Sequence, residues 1–172
     1  MLTVAGKLRF LCTLALMAAA FPGCAPEAQT ADPVPASTAF AIALGEKTPQ
    51  LELALTDMQR MRGLMHREKM GADNGMLFLF EQPNRQSFWM KNTPLPLDIG
   101  FFTRDGVLRE VKPLEPFDLT GVQSQRDDIA FCLEMHHGWF AKNNIEAGAQ
   151  LDLDALRKAV RDRAMNPAVF GL

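Results

Sequence analysis

Three groups of side chains in this 172-residue chain have types and spacings that chemistry requires. The first centres on Asp98. On an extended segment, alternation places Asp98, Gly100 and Phe102 on one face and Leu97, Ile99 and Phe101 on the other. An acid set between apolar neighbours costs free energy to bury unless it is paired or hydrogen-bonded. Gly100 leaves room beside it for a ligand or a second backbone. Trp89, Asn92 and Thr93 precede it across a stiff connector and can close a small polar-aromatic pocket. Glu134, between Leu133 and Met135, adds a second carboxylate, and Arg62 adds a guanidinium. The candidate ligand-binding set is therefore Trp89, Asn92, Thr93 and Asp98, supported by Glu134 and Arg62. The plainer reading gives Asp98 hydrogen bonds from Asn92, Thr93 or turn amides, and gives Glu134 a salt bridge to Arg62 or Lys91.

The second group is the carboxylate pair itself. Asp98 and Glu134 would serve acid–base hydrolysis of an envelope glycan or peptide if both faced one cleft. The third is a set of soft donors: Met65, Met76, Met90 and Met135 with His66 and His136 suit Cu(I). Against copper, Met58, Met61 and Met65 fall on the apolar face of a helix and Met76 opens a buried strand, where core filling accounts for them. His136-His137 reads as a solvated turn and Cys132 as a buried, inert thiol. The chain carries no nucleophile-elbow string, phosphate loop or dinucleotide fingerprint. No cofactor and no metal centre is expected.

The elements that must position these residues follow from periodicity. Ala39 to Leu44 and Leu51 to Leu55 read as short strands. Thr56, with Gln59 three residues on, caps a helix through Met58, Met61, Leu64 and Met65, with Arg60, Arg62 and Arg67 turned to solvent. The apolar run Met76 to Phe80 is a strand buried on both faces. Ser87 to Lys91 follows as a strand, then the proline connector Thr93 to Pro96, which cannot be helical. Leu97 to Thr103 and Val107 to Lys112 form a hairpin across Arg104-Asp105-Gly106. Ile129 to Met135 is a late strand, followed by a short helical turn and a last strand at Leu151 to Leu153. Asp154 then caps a C-terminal helix to about Met165. The fold class is β-rich α+β: a single compact domain with a curved, barrel-like, mostly antiparallel sheet and a few short helices.

Several strings in these elements resemble the DUF192 (UPF0127) family. They are Arg62-Gly63-Leu64-Met65, Gly75-Met76-Leu77-Phe78, Phe88-Trp89-Met90-Lys91-Asn92-Thr93 and Pro96-Leu97-Asp98-Ile99, joined later by Leu133-Glu134, Gly138 and Gly148. The resemblance spans roughly residues 40 to 153 and implies a compact, β-rich single domain. It also implies an exported or lipid-anchored bacterial protein, or an archaeal one. The family's biochemical role is unknown. This chain departs from the pattern at His66, where members usually carry an aromatic residue, and at His136-His137, where they carry a small or Pro-Ala pair.

Composition and the N-terminus bound where such a domain works. Eighteen basic against 20 acidic residues give a net charge of −2, with no dense basic run. A nucleic-acid footprint needs clustered cations, so none is expected. Residues 1–23 read as an export signal: Lys7 and Arg9, then an uncharged stretch from Phe10 to Phe21 too short to span a bilayer. Phe21-Pro22-Gly23-Cys24 resembles a lipoprotein box, which would leave Cys24 as the lipidated N-terminus. Removal of 1–23 takes the charge to −4, since both of its charges are positive. Residues 24–38 form an Ala-, Pro- and acid-rich linker, 39–153 the domain, and 154–172 a C-terminal helix and tail. The sequence therefore points to a periplasmic or membrane-anchored binding or accessory module of the cell envelope. Its expected partners are a small ligand or an envelope protein, and a membrane through the lipid anchor.

Overall fold

The structure is a computed structural model and describes residues 35–172. The export signal 1–23, the lipidation site Cys24 and most of the linker lie outside the described residues. Among the described residues, no helix is long and apolar enough to cross a membrane.

The fold is built on one six-stranded sheet. Its strands are β1 (Ala39–Ala41), β2 (Gln50–Ala54), β3 (Asn74–Asn84), β5 (Leu97–Thr103), β6 (Leu108–Leu114) and β8 (Ile129–His136), in the spatial order β1-β2-β3-β8-β5-β6. β2 and β3 run parallel, because helix α1 (Asp57–Arg62) lies in the connection between them; the other neighbours are antiparallel. β4 (Ser87–Phe88) and β7 (Val122–Gln123) pair as a separate two-stranded ribbon. α2 (Trp139–Lys142), α3 (Leu153–Asp162) and a 3₁₀ turn (Pro167–Phe170) complete the domain.

The expected β-rich α+β class stands, with two amendments. The sheet is open, with β1 and β6 as its edges, and is not closed into a barrel. In place of a last strand at Leu151 to Leu153 there are single bridges from Leu151 to Leu44 and from Gln150 to Val107, and α3 already begins at Leu153. Asp152, not Asp154, caps that helix, accepting from the amides of Asp154 and Ala155.

Both faces of the sheet are covered, so its central strands are buried along their whole length: all seven residues of β5 and seven of the eight in β8. One core lies under α2, α3 and the 3₁₀ turn and takes Leu77, Leu79, Phe102, Leu133 and Met135. The second lies under α1 and the β4/β7 ribbon and takes Met76, Phe78, Ile99, Phe101 and Cys132. The alternation expected for β5 holds, since Phe102 belongs to the first core and Leu97, Ile99 and Phe101 to the second. Gly100 has a packing role rather than making room for a ligand. A Cβ there would lie 2.9 Å from Phe140 and 3.1 Å from Leu108 and Phe102.

Helix α1 departs most from expectation. Thr56 and Gln59 do form the capping box, but the helix stops at Arg62, where Gly63 takes φ +47°. Arg62 is exposed and Leu64 buried as expected, but the two helix methionines and Arg60 exchange sides. Met58 and Met61 are 80% and 74% exposed. Arg60 packs inward, donating to the carbonyls of Leu55 at 2.9 Å and Leu79 at 2.8 Å and lying 5.4 Å from the Phe80 ring centre. The reason is position: α1 meets the sheet where carbonyls of β3 and of the β2 exit need donors, and a guanidinium supplies several while a thioether supplies none.

Gly75 offers a direct check on the two-sided packing. A Cβ there would press on the Met135 sulfur and sit 2.5 Å from the Glu134 carbonyl oxygen. Gly75→Ala is expected to lose about 3 kcal/mol of stability, measured as a lower urea midpoint at unchanged m-value.

Candidate functional site

Register decides which of the candidate residues can meet. β8 pairs with β5 so that Glu134 lies opposite Ile99 and Met135 opposite Asp98. Residues directly opposite in an antiparallel pair share a face, so the two carboxylates project from opposite faces of the sheet. They share no cleft, and the acid–base pair considered for hydrolysis is not assembled.

Asp98 is held by the turn that follows β8. Its carboxylate accepts from the Gly138 amide at 2.7 Å and meets His137 Nδ1 at 2.8 Å. Gly138, at φ +79°, is the residue before α2, so Asp98 ties the start of α2 to the sheet. The described residues thus provide the hydrogen-bonding partners that a buried acid needs, though they are turn groups rather than Asn92 or Thr93.

Glu134 is the contrasting case. It is 5% exposed, and no described residue forms an ion pair or hydrogen bond with its carboxyl; the salt bridge to Arg62 or Lys91 is not made. Burial alone raises its pKa to about 8, because a charge there would be stripped of most of its water. The same burial pushes the neighbouring Cys132 thiol well up.

The Glu134 carboxyl lines a cavity of about 250 Å³ beside α1. Phe78 and Phe80 of β3 and Phe88 of β4 form its aromatic wall, with the Phe88 ring edge-on to Phe78 at 5.0 Å and to Phe80 at 6.4 Å. Leu64, Met61 and Met65 close the α1 side, and Trp89, Thr93, Arg60 and Arg62 complete the lining. Arg62 is exposed and has no ion-pair partner among the described residues, whereas Arg60 is committed to Asp57 and two carbonyls. Trp89 is half exposed, with the Lys91 ammonium 5.1 Å from its ring centre.

Four of the six candidate residues, Arg62, Trp89, Thr93 and Glu134, therefore line one cavity. Asn92 sits just outside, in an adjoining groove with Met58, His66 and Lys91. Its carbonyl accepts from the His66 amide at 2.7 Å, and both residues have positive φ, so this contact fixes the approach of the α1 exit to the connector. Asp98 lies on the far face of the sheet. Sequence reasoning missed the aromatic wall; the signal available was that Met76, Phe78 and Phe80 share a face on any strand through that run. The six soft donors do not form one set, because Met135 and Met76 belong to opposite cores, although Met65, His66 and Met76 line one groove. Among the described residues, no group of three or more His, Cys, Asp or Glu is arranged to hold a metal.

An open mixed sheet with two covered faces and a lateral, solvent-open cavity over a buried carboxyl defines a β-rich α+β domain with a candidate site on one face. The chain belongs to the DUF192 family, described as an uncharacterised ACR, whose model matches residues 40–153. A crystal structure from Sinorhizobium meliloti 1021, of a protein named a "putative transcription regulator", is similar at 33% identity and a TM-score of 0.62, covering 64% of this chain and 89% of that one. A protein of unknown function from Novosphingobium aromaticivorans DSM 12444 is similar at 29% identity and a TM-score of 0.64, covering 76% of this chain and 99% of its own. No curated protein matches.

Two measurements separate the two acids. Asp98→Ala is expected to cost about 2 kcal/mol, through the orphaned Gly138 amide, in thermal or urea unfolding. Glu134 acts through pH. The folded state keeps its proton up to about pH 8, whereas the unfolded chain releases it near 4.5, so folding binds a proton between those values. Its stabilising contribution is full below pH 4.5 and is lost as pH rises through 8. Glu134→Gln should therefore gain stability relative to the unsubstituted protein across pH 5–8, by roughly 3–5 kcal/mol in total.

Proposed function

We propose that this protein is a small-ligand binding module of the cell envelope, with the cavity over Glu134 as its site. The observation that carries the reading is the unpartnered, buried carboxyl opening into an apolar-walled cavity. A carboxyl buried without a partner costs stability, and a ligand that hydrogen-bonds to it removes that cost on binding. Apolar walls with a few polar groups are the usual composition of small-molecule sites. Trp89, Thr93 and Arg62 supply the aromatic edge, the hydroxyl and the cation at the rim.

Hydrolysis by Asp98 and Glu134 is the weaker reading, since a sheet separates the two groups. Copper handling is the weaker reading too, since Met135 packs in the opposite core from Met76 and the six soft donors form no single set, three of them, Met65, His66 and Met76, lining one groove. The net charge of −2, or −4 after export, favours a partner other than nucleic acid. Export and the lipid anchor at Cys24 rest on the sequence pattern of residues 1–24. Mass spectrometry of membrane-extracted protein tests the anchor: a diacylated Cys24 N-terminus is expected, and an unmodified Cys24 in the mature species contradicts it.

Binding is testable with 1-anilinonaphthalene-8-sulfonate, an amphipathic aromatic probe. Its fluorescence is expected to rise on the folded protein. Met65→Trp, at a partly exposed wall position, should fill the cavity and weaken binding at least tenfold at unchanged stability. Equal binding to both proteins would place the probe elsewhere and remove the site.

A further inference from the structure

We propose that the cavity selects a monocarboxylate with a compact apolar body, held at its charged end by Arg62 and by a hydrogen bond donated from the Glu134 side chain. This deepens the binding reading of the same cavity and rests on it.

The groups around the site favour an acceptor over a donor. Glu134 is buried at the cavity wall with no acceptor from the described residues, so its protonated form has a free O–H to give. On α1, the cations facing the cavity are Arg60, already committed, and Arg62, which is free. Lys91 adds a positive charge outside the mouth, over Trp89. An ammonium ligand would have to pass these charges, whereas a carboxylate is drawn by them.

No other ionised group stands against the ligand. The strand rows flanking Glu134 are Met76 on β3 and Ile99 on β5. One strand further out, Glu52 is held by Arg67 in a two-pronged contact, and Lys112 is paired with Glu110 at 3.3 Å. The Cys132 thiol on the same strand stays neutral. From β4 and the following connector come only Ser87, Phe88, Trp89 and Thr93, which are uncharged.

The geometry also explains why the body must be apolar and small. The rings of Phe78, Phe80 and Phe88 offer no polar partner, and about 250 Å³ holds a phenyl ring with a short stem. Arg62 and Glu134 line the same cavity, and the exposed, unpaired Arg62 side chain is free to turn toward a carboxylate that Glu134 holds. Once Glu134 ionises, it repels that carboxylate, so binding is linked to its proton.

The test uses the folded protein and isothermal titration with 3-phenylpropionate, 2-phenylethylamine and neutral 3-phenylpropanamide between pH 6 and 9.5. The acid is expected to bind best below pH 8 and to weaken 10- to 30-fold by pH 9.5, roughly tenfold per pH unit once Glu134 ionises. Arg62→Ala, an exposed site, should cost about tenfold at every pH with stability unchanged. Glu134→Gln should bind the acid with its affinity level across the range, because the amide still donates but cannot ionise. N-acetyl-Gly-Gly-Phe, compared with 3-phenylpropionate, separates a chain-terminal carboxylate from a free acid as the source, the tighter of the two naming it. Tighter binding of the amine than of the acid at pH 6.5 would overturn the carboxylate assignment, as would acid binding that ignores pH. If the amide alone binds, the ligand class falls and the binding module stands. If none of the three binds, the binding reading itself falls.

Discussion

The structure depends on a sheet whose central strands have no solvent side. β5 and β8 are buried on both faces, so each residue in them must be apolar, small or hydrogen-bonded. That constraint makes two acidic residues in these strands informative. Asp98 meets it with the Gly138 amide and His137. Glu134 does not meet it within the described chain, and the space beside it is open rather than packed. A two-sided sheet with one satisfied and one unsatisfied acid gives the two different surroundings: the first acid closes a turn, and the second faces a cavity.

The same constraint shapes the surroundings. Because the second core is roofed by a helix of six residues and a two-stranded ribbon, its cover is incomplete. Arg60 closes part of the gap by donating to the carbonyls of Leu55, at the β2 exit, and Leu79, within β3, and this leaves Met58 and Met61 outside. Met61, Trp89 and the free Arg62 then ring an opening whose floor is aromatic. An apolar rim beside a cation suits an amphipathic ligand better than a fully polar one. Affinity at such a site comes from apolar burial, and orientation from the two polar ends.

Much of the architecture was legible because its signals are local. The proline connector cannot be helical, the Arg104-Asp105-Gly106 turn joins β5 to β6, and alternation along β5 assigns Asp98 and Ile99 to opposite faces without any structure. The capping box at Thr56 is equally local, and so is the family pattern from residue 40 to 153. The errors share one cause. Helix α1 was oriented from its own hydrophobic periodicity, but carbonyls contributed by β2 and β3 turn Arg60 inward. A barrel-like sheet is what strands clustering without regular helices between them suggest, yet only single bridges at Gln150 and Leu151, with no paired strand, join the Leu44 and Val107 sides, and the sheet stays open.

By itself the sequence determined the class of fold, the family, and four of the residues that line the cavity, since residue type and alternation act within a few positions along the chain. It could not determine which side chains face each other across strands. Whether Asp98 and Glu134 cooperate depends on the register of β8 against β5, and these strands are separated by 25 residues of chain, 104–128. Register is set when both faces of the sheet find their cores at once, a condition no single strand contains. Only the tertiary structure could separate the two acids and leave Glu134 as the one that faces an open cavity.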